Sequence, residues 1–93
     1  MPMLITVQIP SSLRHEAGGV AELRVSAATV RDALSQLEES NPSLYRSVCD
    51  ETGAVRRHVH LFVNSSLVHG KEGLDTAFGP GDVLFIMPAV SGG

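Results

Sequence analysis

The sequence predicts an α+β domain: a mixed sheet of four to five strands with one main helix packed on one face. Three observations predict it. "MLITVQI" (3–9) alternates, which marks a half-buried strand. "TVRDALSQLEES" (29–40) carries a single apolar stripe at helical spacing. "VLFIM" (83–87) does not alternate, so it is apolar on both faces, as in a strand at the middle of a sheet.

In the first segment Met3, Ile5, Val7 and Ile9 fall on one side and Leu4, Thr6 and Gln8 on the other, and Pro10 ends it. "SSLRHEAGG" follows, and its Gly18–Gly19 pair reads as a turn. "VAELRV" (20–25) alternates again, placing Leu23 with Val25, and the spacing suits an antiparallel hairpin. Thr29 followed by Asp32 has capping-box form, so the helix starts there. Val30, Ala33, Leu34 and Leu37 then recur at i, i+3, i+4 and i+7, and Asn41–Pro42 closes the helix.

Leu44 and Val48 have the spacing of a short second helix, and Thr52–Gly53 marks a turn. "HVHLFVN" (58–64) is the third strand, with Val59, Leu61 and Val63 facing one way and His58, His60 and Phe62 the other. "SLVHGKEG" continues as a short strand and turn, "GLDTAF" as a single helical turn and "GPGD" as a turn. Strand, strand, helix, strand, short strand, strand is the order of the β-grasp, or ubiquitin-like, fold, with the first and last strands as central neighbours. The expected division is one domain over 1–87 and a flexible tail over 88–93 that ends in Gly-Gly.

Ninety-three residues fit one small domain and leave no room for a separate catalytic one. Seven Lys and Arg against ten Asp and Glu give a net charge of −3 without a basic run, which argues against nucleic acid and anionic membrane as partners. The single Cys49 cannot form an internal disulfide, and "MPMLITVQIP" has neither the basic start nor the apolar length of a signal peptide or a membrane span. The expected location is the cytoplasm.

One helix can bury only one face of the last strand, so the other face is a surplus. With Leu84 and Ile86 turned toward the helix, Phe85 and Met87 point outward, joined by Phe62 and His60 from the third strand. An exposed apolar patch of this kind reads as a partner-docking surface; the alternative is that segment 43–57 folds over it. From Pro88 to Gly93 the chain reaches on the order of 20 Å, at about 3.3 Å per residue. Gly92 and Gly93 lack a Cβ and pass a narrow channel, which would bring the Gly93 carboxylate into a partner's site.

"GDVLFIMPAVSGG" resembles the C-terminal signature of the ubiquitin-like sulfur carriers (MoaD/ThiS-like), which include the small subunit of molybdopterin synthase and the thiamine-pathway carrier. The likeness extends over essentially the whole chain. "IPSSLRHEAGG", "VRDALSQLEESNPSL", "HVHLFVN", "GLDTAFGPGD" and "CDETGAVRRHV" are most similar to the carriers of cysteine and homocysteine biosynthesis.

The resemblance implies a carrier rather than an enzyme, with no bound cofactor. An activating enzyme of the ubiquitin-activating type would use ATP to adenylate Gly93 and convert it to a thiocarboxylate. A sulfhydrylase-like enzyme would accept the sulfur for cysteine or homocysteine/methionine synthesis, and a metalloprotease would release the product or trim the tail. Pro88, Ala89, Val90 and Ser91 would line the enzyme's channel, and Gly92 would be the companion that lets Gly93 thread. The small subunit of molybdopterin synthase, a protein modifier linked through Gly93 and an inert interaction module stand as alternatives.

Other residues carry less. Cys49 reads as a passive small residue rather than a sulfur relay, since no His is near it in sequence. His58 and His60 share a strand face, but the chain lacks the further Cys or His cluster that a zinc site would need.

Overall fold

A computed structural model describes residues 2–88, all but the side chain of Lys71 among them. Five strands form one sheet: β1 (Met3–Gln8), β2 (Glu22–Ala27), β3 (Val59–Val63), β4 (Ser66–Leu67) and β5 (Val83–Pro88). Their order is β2-β1-β5-β3-β4, with β1 parallel to β5 and every other pair antiparallel. The first and last strands are therefore neighbours, and β5 occupies the centre. This is the β-grasp arrangement.

Alternation along the strands decides which face is buried. Ile5 and Val7 of β1, Val25 and Ala27 of β2, Val59, Leu61 and Val63 of β3, and Leu84 and Ile86 of β5 all enter the core. The helical layer covers that face. It consists of α1 (Val30–Ser40), α2 (Pro42–Val48), the single turn α3 (Gly70–Gly73) and a 3-10 helix over Ser11–Ala17. The main α1 buries Val30, Ala33, Leu34 and Leu37, the four residues of its stripe.

The start of α1 shows how its free backbone donors are met. The Asp32 N–H donates to Thr29 Oγ1 at 3.2 Å, and Asp32 Oδ2 accepts from the Ala28 N–H. The box thus closes one residue earlier than the ideal form, on Ala28 rather than Thr29. The Val30 and Arg31 N–H groups donate to the carbonyls of Thr76 and Leu74. The segment after α3 therefore finishes the helix start that the cap leaves open.

Several elements differ from the sequence expectation. The 3-10 helix replaces a plain connection before Gly18 and Gly19, both at positive φ. The second strand lies two residues later than expected, at Glu22–Ala27. The helical turn falls at Gly70–Gly73 rather than within "GLDTAF". A Cβ at Gly73 would lie 2.7 Å from Val68 Cγ1 and 3.1 Å from the Val68 carbonyl carbon, so the turn packs where only glycine fits. Gly73→Ala is expected to destabilise the domain by about 1–3 kcal/mol through overpacking, read as a lower urea midpoint at unchanged slope.

Three carboxylates tie connecting segments to this frame. Glu16 accepts from the hydroxyls of Ser43 and Ser47, joining the 3-10 helix to α2. Asp50 accepts from the Thr52 hydroxyl and the Thr52 and Ala54 N–H groups, and Asp82 from the Gly79 N–H and Asn64 Nδ2. These bonds favour the ionised forms: Glu16 lies below its ordinary value chiefly through Ser43, Asp50 through Thr52 and Asp82 through Gly79.

A carboxyl whose folded pKa is lowered stabilises the fold above its unfolded value. That stabilisation is lost as the pH falls through the folded one. Tm is therefore expected to fall as the pH drops below about 4.5. Asp82→Asn should lower Tm at neutral pH and shrink the loss between pH values of about 5 and about 3; an unchanged acid slope would assign that loss elsewhere.

Candidate functional site

The outward face of β5 and β3 is built by register. Phe62 lies opposite Phe85 and His60 opposite Met87, so the four residues picked from the sequence come together. Phe62 and Phe85 are half-buried, His60 is exposed, and Met87 is 45% exposed. Phe62, Asn64, Ser65, Phe85 and Met87 line an open concavity of about 290 Å³. His60 stands beyond this lining.

Asn64 and Ser65 were not apparent as site residues, nor was Leu67. Asn64 and Ser65 form the two-residue turn between β3 and β4, with Asn64 at φ 55°, a left-handed conformation that asparagine tolerates. The same Asn64 holds the entry of β5: its Oδ1 accepts from the Val83 N–H at 3.1 Å, and its N–H donates to the Val83 carbonyl at 2.8 Å. Leu67 of β4 lies opposite Phe62 and is 36% exposed, which extends the apolar surface to the sheet edge. Its one sequence signal is an apolar residue in a short strand.

Segment 43–57 does not hide this face. Leu44, Val48 and Cys49 belong to the core and Val55 packs against it, which places the segment with the helical layer. Cys49 is buried at the end of α2, and burial pushes its thiol up to about 11. It is therefore a protonated thiol at neutral pH, without the nucleophilic thiolate that a sulfur relay needs. Among the described residues no group of three His, Cys, Asp or Glu is placed to hold a metal ion. No helix among them is long and apolar enough to cross a membrane.

Pro88 is the last residue of β5, opposite Val59, one residue beyond the expected strand end. Ala89, Val90, Ser91, Gly92 and Gly93, the expected guide and reactive end, lie outside the described residues.

Residues 7–93 match the ThiS family. A curated relative from Mycobacterium tuberculosis (strain ATCC 25618 / H37Rv), "Sulfur carrier protein CysO", is 36% identical over 93 residues, covering 98% of this chain and all of that one. A solved structure from the BexX/CysO complex of Amycolatopsis orientalis superposes with a TM-score of 0.83 at 31% identity, over 96% of this chain and 99% of that one. SAMP1 of Haloferax volcanii gives a TM-score of 0.80 at 30% identity, over 98% of this chain and all of that one.

Proposed function

The chain belongs to the ThiS family, and from that premise we propose that it is a sulfur carrier whose Gly93 carboxylate is the loading point. A carboxylate is a poor acyl donor because its oxygen is a poor leaving group. An activating enzyme of the ubiquitin-activating type would join Gly93 to AMP from ATP and release pyrophosphate. Sulfide, or an equivalent donor, would then form a C–S bond as the C–O bond to AMP breaks, leaving a thiocarboxylate. This chain supplies no acid or base to either step; it binds, presents and delivers.

The observation that carries the reading is the position of β5. One strand supplies Phe85 and Met87 to the apolar concavity, and in the sequence only five residues separate its end at Pro88 from the carboxylate of Gly93. A partner seated on Phe62, Phe85 and Met87 would have the chain end within reach. Holding sulfur on a tethered end gives it a high effective concentration at the acceptor.

The acceptor in this reading is a sulfhydrylase-like enzyme that serves cysteine or homocysteine/methionine synthesis, with a metalloprotease to release the product or trim the tail. The likeness to a sulfur carrier protein named CysO supports the cysteine branch over the small subunit of molybdopterin synthase. The free, buried Cys49 suits the reducing cytoplasm in which such a carrier would work.

The test is intact-mass measurement after incubation with the activating enzyme, ATP and sulfide. A gain equal to replacing one oxygen by sulfur supports the carrier. No change, with a demonstrably active enzyme, would sink it. The likeness to SAMP1, small archaeal modifier protein 1, favours one second reading, an isopeptide between Gly93 and a lysine. Lysine-linked conjugates in the same experiment would report it.

A further inference from the structure

The sheet has two edges of unequal length. β4 at one edge is two residues long, whereas β2 at the other is six and exposes Glu22, Arg24 and Ser26. The Ile9 N–H donates to the Ala21 carbonyl at 2.9 Å, and the register continues through Val7 with Leu23 and Ile5 with Val25. Hydrogen-bonded pairs recur at every second position of an antiparallel ladder. The backbone groups of Leu23 and Val25 therefore turn toward β1, and those of Glu22, Arg24 and Ser26 turn toward the open edge. The Ala28 carbonyl beyond the strand is already taken by the Phe78 N–H, so the open run is 22–26.

We infer that this edge pairs with the same edge of a second copy of the chain, antiparallel about a two-fold axis at Leu23, with Glu22 of each copy against Arg24 of the other. Charge selects the register. Pairing centred on Arg24 sets two arginines directly opposite, and pairing centred on Glu22 sets two glutamates opposite. Like charges across a ladder repel. Centring on Leu23 makes Glu22 and Arg24 the hydrogen-bonded partners, which uses the backbone groups already turned to the edge.

The same register brings the two Leu23 side chains together. They form a non-hydrogen-bonded pair, the closer kind, with Cα atoms about 4.5 Å apart. Leu23 is half-buried in the single chain and packs against the core, and its remaining surface would be covered at this axis. The joined sheet has its two β5 strands five steps apart, about 24 Å at about 4.8 Å per step. The two outward concavities then lie on one side of the sheet, and neither is covered. The pairing stands independently of the sulfur-carrier reading.

Sedimentation of the full chain at low ionic strength, where exposed charges are least screened, tests the pairing. The weight-average mass is expected to climb from one chain mass toward two with concentration. Glu22→Arg and Arg24→Glu each turn two attractive cross-strand pairs into repulsive ones and are expected to weaken association about ten-fold. The double variant restores opposite charges in exchanged order and is expected to return to within about three-fold of the parent. It does so without the Gln8–Glu22 hydrogen bond of the parent, so recovery reports the new pairs rather than a mended fold.

A constant single-chain mass would overturn the inference. So would single variants that associate like the parent, or a double variant as weak as the singles. Association lost on Phe85→Asp instead would place the interface on the outward apolar face.

Discussion

Deleting Gly93 is expected to cut sulfur loading by the activating enzyme by about 100-fold or more while moving Tm by no more than about 3 °C. The first part follows from reach. Removing one residue draws the carboxylate back by about 3.3 Å, and a misplacement of about 1 Å at a reacting centre can cost on the order of 100-fold. The second follows from where the core closes: among the described residues the buried ones run from Ile5 to Ile86. Loading is read by intact mass, and stability by thermal unfolding followed by circular dichroism. Undiminished loading would move the reactive point away from Gly93, and a collapsed Tm would make the end part of the fold.

Phe85→Asp is expected to weaken binding to the activating enzyme by at least about 30-fold, the cost of losing an aromatic anchor of about 2 kcal/mol. Phe85 sits at the centre of the outward face, opposite Phe62, and lines the concavity with Met87. An aspartate there puts a carboxylate where a partner's apolar surface would exclude water. Phe62→Asp is the companion variant, because it touches the same concavity from the neighbouring strand. Titration calorimetry on folded variants decides the matter. Unaltered affinity in both would assign docking to another face.

The site was legible where one strand's own pattern settled it. Phe85 and Met87 follow from the apolar run of β5, and His60 and Phe62 from the alternation of β3. Asn64 was not legible, because its role is a pair of hydrogen bonds to the entry of β5, a strand 19 residues further along the chain. Leu67 was not legible either; a two-residue strand has no period, and only its place opposite Phe62 makes it part of the surface.

The same contrast holds for the fold. Local chemistry alone determined the alternation of β1 and β2, the stripe of α1 and its Thr29–Asp32 cap, the short α2 and the two-sided apolar run of β5. Period-2 alternation, 3.6-residue spacing and capping are written within a few residues of each other, so the chain carries them by itself. Tertiary packing decided the 3-10 helix over Ser11–Ala17, which lacks an apolar stripe and is tied down by Glu16 to Ser43 and Ser47. It also decided where the last helical turn falls, because Gly73 must pass Val68 before Leu74 and Thr76 can meet the start of α1. In each case the deciding partner lies elsewhere in the chain or across a ladder, and only the folded sheet brings it within reach.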